Sequence, residues 1–63
     1  MLSNLKQIRI NKKLTLKQLS IKTGISVTYL NDLENLYRIN PSSDKINKLC
    51  TVLDVSEKEL KGN

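Results

Sequence analysis

Hydrophobic residues recur at helical spacing along most of this chain. Leu2, Leu5 and Ile8 stand three apart and predict a first helix over Ser3–Asn11 with one apolar stripe. Leu16 and Leu19 mark one side of a second helix, and Leu30 and Leu33 one side of a third. Ile46, Leu49, Cys50 and Leu53 fit i, i+3, i+4, i+7 without a miss and predict a fourth. No stretch alternates with a period of two, so no strand is expected.

The polar residues between these stripes mark where each helix starts and stops. Thr15 can cap the second helix by accepting from an unpaired first-turn N–H, and Gln18 three residues on completes a capping box. Leu14 and Leu19 bracket that cap at the spacing of a hydrophobic staple, as Ile25 and Leu30 bracket Ser26 at the start of the third helix. Gly24 supplies the left-handed residue that ends the second helix. Asn35 is expected to take the same conformation after the third. Asn35–Pro41 then reads as a loop, with Asn40 held extended by Pro41. Ser42 caps the fourth helix and Asp54 ends it. Ser56 with Glu59 forms a second capping box, Val55 and Leu60 a third staple, and Gly62 closes a short fifth helix.

The turn between the second and third helices is too short to lay them antiparallel, so they cross steeply as a helix-turn-helix over residues 15–34. Ser20 is small and permits the close crossing. The expected fold is all-α: a compact five-helix domain spanning 1–63, with the helix-turn-helix at its centre.

A chain of 63 residues buries roughly 60% of its unfolded surface, so pairing with a second copy would help stabilise it. With two tyrosines and no Phe or Trp, its core must be built from Leu, Ile and Val. Charge is unevenly placed. Residues 1–30 hold six basic residues and no acid, whereas residues 31–63 hold five basic against six acidic. The basic half makes a surface that attracts polyanions, and equally one that simply stays hydrated.

One cysteine and no histidine exclude an internal disulfide and a Cys/His metal site. Cys50, on the apolar stripe of the fourth helix, reads as a small buried hydrophobe, with a redox switch as the lesser alternative. No run approaches the ~20 apolar residues of a membrane span, and the first residues lack the apolar core of a signal peptide, so a cytoplasmic location is expected. Without histidine, a glycine-rich phosphate loop or an evident acid pair, no enzymatic activity, cofactor or small-molecule ligand is expected.

The third helix, about residues 26–34, presents Val27, Thr28, Asn31 and Asp32 on the side away from its leucines. Val27 and Thr28 suit a thymine methyl, Asn31 pairs with adenine N6 and N7, and Asp32 can accept from cytosine N4. Around them lie candidate phosphate contacts. The start of the second helix offers Thr15, the Leu16 N–H, Lys17 and Gln18 at a positive helix pole. Ser26 and Tyr29 come from the third helix, and Asn35, Tyr37, Arg38 and Asn40 from the loop after it. Tyr37 could equally pack over Leu36 or Ile39. Lys12 and Lys13 suit either the first helix's negative pole or a phosphate, and Lys22 reads as plain surface charge. The matching partner is double-stranded DNA.

These residues resemble the Cro/CI-type (lambda-repressor-like, XRE) helix-turn-helix family over Leu5–Lys61. The likeness is carried by Thr15-x-x-Gln18-Leu19-Ser20, Thr23-Gly24-Ile25-Ser26, Tyr29-Leu30-x-x-Leu33-Glu34, Asn40-Pro41-Ser42 and Val52-Leu53-Asp54-Val55-Ser56. The resemblance implies a third helix entering the major groove and an ion pair between Arg9 and Glu34. It also implies a transcriptional regulator, here expected to be a repressor, acting as a homodimer on an inverted repeat. The end of the fourth helix and the fifth helix, through Val52 and Leu60, are the expected dimer surface. Many members carry Ala at Ser20, Gln at Leu16, and Gly shortly after Glu34, where this chain has Asn35-Leu36. The alternative function is a protein-interaction module, such as an antitoxin or antirepressor, whose main partner is another protein.

Overall fold

The computed structural model describes residues 1–38 and 40–62. Five helices follow one another: α1 (Leu5–Asn11), α2 (Leu16–Thr23), α3 (Val27–Glu34), α4 (Ser43–Leu53) and α5 (Glu57–Lys61), with no strand among the described residues. The fold is all-α, with the α2–turn–α3 unit at its centre.

Four helices begin at capping side chains. Thr15 Oγ1 accepts from the Gln18 N–H at 3.0 Å while Gln18 Oε1 accepts from the Thr15 N–H at 2.8 Å. Ser26, Ser42 and Ser56 accept from the N–H three residues on, and Ser56 with Glu59 closes the second capping box. α1 differs from the expected Ser3 start. It begins at Leu5, because the Asn4 side chain makes no cap bond. Asn4 is turned towards α5 instead: its backbone N–H donates to Leu60 O at 3.0 Å and its Nδ2 to Glu59 O at 3.2 Å.

The helix ends differ more from expectation. Gly24 and Gly62 take left-handed conformations, φ 75° and 85°, and Asp54 ends α4 at φ 55°. Asn35 does not: it sits at φ −90°, and Leu36 carries the left-handed turn at φ 61°. Leu36 N–H donates to Leu33 O at 3.2 Å and Tyr37 N–H to Asp32 O at 2.8 Å, which is a Schellman closure. α1 closes the same way at Lys13, φ 60°, with Lys13 N–H on Ile10 O and Leu14 N–H on Arg9 O.

The core is almost entirely leucine. Leu2, Leu5, Leu19, Leu30, Leu33, Leu49, Leu53 and Leu60 are buried with Ile25, and Ile8, Leu14, Leu16, Tyr29, Cys50, Val52 and Val55 pack partly buried around them. Staple partners thus reach one core from both sides of each cap. α2 packs on α3 and α4, α1 on α3 and α5, and α4 on α5. Burial of Leu60 corrects the expected dimer surface: it is a core side chain of α5 and offers nothing outward, while Val52 is only partly exposed.

Candidate nucleic-acid interface

The turn between α2 and α3 is held by Thr23, a buried polar residue that sequence patterning passed over. Its Oγ1 donates to Leu19 O at 2.8 Å and accepts from the Ile25 N–H at 3.2 Å. The hydroxyl thereby joins the last turn of α2 to the residue that leads into α3. The TG dipeptide offered a signal for the turn, but not for this bond.

α3 is anchored along its inner side by Leu30 and Leu33. Its end is fixed by Glu34, whose carboxylate meets the Arg9 guanidinium of α1 at 2.5 Å (Nε–Oε2) and 3.1 Å (Nη2–Oε1). Arg9 Nη1 also donates to Leu14 O at 2.7 Å, just before α2. The two side chains are 12% and 3% exposed. The hydrogen bond to Glu34 raises Arg9 further above its already high ordinary pKa, against the lowering effect of burial, and the charge of Glu34 adds to the rise. One guanidinium thus ties α1, the approach to α2 and the end of α3 together.

With its inner side so fixed, α3 turns Val27, Thr28 and Asn31 outward, all exposed. Asp32 departs from the expected arrangement. Its carboxylate lies 3.4 Å from Arg38 Nε, so it is directed at the loop. The Arg38 guanidinium lies 4.5 Å from the centre of the Tyr29 ring, and Lys45 Nζ from α4 lies 5.0 Å from the same centre. Tyr29, Asp32, Arg38 and Lys45 therefore form one cluster carrying two positive charges and one negative. Lys45 was not among the expected contacts, since nothing in its local sequence sets it apart and only the packing of α4 brings it to Tyr29.

Asn35, another expected phosphate contact, is engaged within the chain. Its Nδ2 donates to Asn31 O at 3.0 Å and to Asn31 Oδ1 at 3.1 Å. The amide nitrogen is thus engaged twice within the chain, and the remaining group is an acceptor.

The other expected phosphate contacts occupy exposed or half-exposed positions. Thr15, Lys17, Gln18, Ser26, Arg38 and Asn40 are exposed, and Leu16 is half-buried at the first position of α2. Tyr37 is 79% exposed, so it does not pack over Leu36; Ile39, its other expected partner, lies outside the described residues. Lys12 and Lys13 are exposed at the end of α1. Lys22, with Thr23, lines one wall of a groove of about 390 Å³ whose other wall is α4, through Asp44, Asn47, Lys48 and Val52. Among the described residues no cluster of three or more His, Cys, Asp or Glu side chains could hold a metal ion, and no helix is long and apolar enough to cross a membrane.

The family profile described as "Helix-turn-helix" matches residues 5–60, the span from α1 into α5. The chain belongs to the helix-turn-helix family. Within that family it is similar to the HTH-type transcriptional regulator SinR of Bacillus subtilis (strain 168), at 38% identity over 52 residues. The same regulator from Bacillus licheniformis is likewise 38% identical over 52 residues. Each alignment covers 82% of this chain and 47% of the relative, so the chain spans about half the length of the curated relatives it matches. No solved structure matches it. Membership places the chain in a family of regulators, not of enzymes.

Proposed function

We propose that this chain is a DNA-binding transcriptional regulator that reads the major groove with α3, as a cytoplasmic repressor pairing two copies on an inverted repeat. The observation that carries this reading is the two-sided character of α3. Leu30, Leu33 and Glu34 hold it from behind, while Val27, Thr28 and Asn31 stand in solvent with side chains short enough to reach base edges. Basic and hydrogen-bonding groups at the start of α2 and in the loop after α3 flank that row, where phosphates of the two strands would lie. A single reading helix covers only a few base pairs, too few to stand out against a genome. Two copies with half-sites about one helical turn apart supply the missing discrimination. Bound over a promoter, such a pair excludes polymerase.

Selection of bound sites from random duplex DNA tests the whole reading. It should return a palindrome with half-sites about ten base pairs apart, and affinity should fall with salt at roughly −0.9 in log–log slope per phosphate contacted. A protein that enriches no sequence, or whose Thr28→Ala/Asn31→Ala form selects the same DNA as the wild type, is not a base reader. A partner that is another protein gains support from Ile21, 73% exposed on α2. An Ile21→Asp form that keeps full DNA selectivity but loses regulation in cells would point to such a partner.

A further inference from the structure

The contact between Asn31 and Asn35 settles which end of the Asn31 amide is presented to a ligand. A backbone carbonyl can only accept a hydrogen bond. The Asn35 atom 3.0 Å from Asn31 O is therefore its nitrogen, Nδ2. The same nitrogen, a donor, also lies 3.1 Å from an atom of the Asn31 side chain. The Asn31 atom that accepts from it must be the oxygen, Oδ1. The chain's own backbone thus fixes Asn35, and Asn35 fixes Asn31. Oδ1 of Asn31 is tied back along the helix, and its Nδ2, carrying two hydrogens, is the group left to meet whatever approaches α3.

From this we infer that Asn35 is a specificity-determining positioning residue, which holds Asn31 donor-outward so that it selects a purine through N7. The inference rests on the DNA-reading role of α3. Adenine fits best: its N7 accepts from Asn31 Nδ2, and its N6–H can reach the second lone pair of Oδ1. Guanine offers acceptors alone and satisfies only Nδ2. Cytosine presents its N4–H donor to a donor and is rejected. In solution the Asn31–Asn35 bonds are exposed and compete with water. Against DNA that water is displaced, and reversing the amide would leave a donor facing a donor in a dry interface.

Two substitutions test the inference without removing Asn31. Asn35→Ala frees the amide to turn over. Asn35→Asp replaces the donor with a carboxylate that accepts from Asn31 Nδ2, which turns Oδ1 outward. Asn31→Ala identifies the base pair concerned by losing preference at one position of each half-site. At that position wild type should favour adenine over cytosine by roughly 5- to 100-fold. Asn35→Ala should reduce this ratio towards one, and Asn35→Asp should shift it towards cytosine. Because the readout is a ratio of sites bound by the same protein, a general loss of stability or affinity leaves it unmoved. Salt dependence should be unchanged in Asn35→Ala, since Asn35 carries no charge and its amide nitrogen is engaged within the chain. If wild type enriches a palindrome and both Asn35 variants keep its base preference throughout, the inference falls while the DNA-reading role stands. If wild type enriches no sequence, both fall together.

Discussion

Arg9 and Glu34 are joined side by side across the interior of the fold, with two guanidinium nitrogens facing two carboxylate oxygens at 2.5 and 3.1 Å. Removing one partner leaves the other charge nearly buried and alone, which costs about 3–5 kcal/mol for a pair of this kind. Arg9→Ala should therefore lower unfolding stability by an amount in that range, measured by urea denaturation. Replacing both residues, as Arg9→Met with Glu34→Leu, should recover most of the loss because no unpaired charge remains. A double variant as unstable as the sum of the singles would contradict this account.

Lys13 and Leu36 both hold left-handed backbone without being glycine, at φ 60° and 61°. That conformation costs a side-chain-bearing residue about 1–2 kcal/mol, partly offset in a glycine by its greater freedom when unfolded. Lys13→Gly should be the cleaner gain, since it removes a charged side chain from the surface, whereas Leu36→Gly also deletes a large apolar one. The expected change is about 0.5–1 kcal/mol in stability, or roughly 2–8 °C in Tm for a domain of this size. A fall in Tm on Lys13→Gly would show that the lysine side chain stabilises the fold by more than its backbone strain costs.

Asp32 and Arg38 make a separate prediction about binding. With its carboxylate 3.4 Å from Arg38 Nε, Asp32 is expected to contribute to the loop and not to base selection. In the proposed complex Arg38, over the Tyr29 ring beside Lys45, would meet a phosphate. Arg38→Ala and Lys45→Ala should each weaken binding to all sequences alike and reduce the salt slope by about one. Asp32→Asn should leave the selected sequence unchanged. A changed preference at one base pair in Asp32→Asn would return the carboxylate to base reading.

What could be read from sequence, and what could not, divides along the range of the interaction. Thr15, Ser26, Ser42 and Ser56 act on an N–H three residues away, so four helix starts were readable locally. The leucine stripes likewise named the core, because burial follows the helical period. Lys13 and Leu36 gave no such signal: neither residue type favours left-handed backbone, and the turn is imposed by where the next segment must go. Asn35 looked like the residue for that turn, but its amide is used on Asn31, and the turn falls one residue later. The direction of Asp32 depends on that displaced turn, which brings Arg38 back alongside α3. Lys45 reaches Tyr29 only because α4 packs there. The Arg9–Glu34 pair spans 25 residues, and family resemblance, not spacing, pointed to it.

Cys50 provides a test of how closed the side of α4 is. Burial pushes its thiol pKa up, and the nearby charges of Glu57 and Glu59 push the same way. A raised thiol pKa means the folded state holds its proton more tightly than the unfolded chain. The associated stability is full below the unfolded thiol's pKa and is lost as pH rises through the folded value. Alkylation by iodoacetamide should be slower than that of a small free thiol at pH 8.5, with its rate rising only above the ordinary thiol range. Between pH 7 and 10, wild type should lose more stability than Cys50→Ala, because the variant has no thiol to titrate. Equal losses in the two proteins, or alkylation at the free-thiol rate, would mean the sulfur is open to solvent and that α4 packs less closely there than its half-buried position indicates.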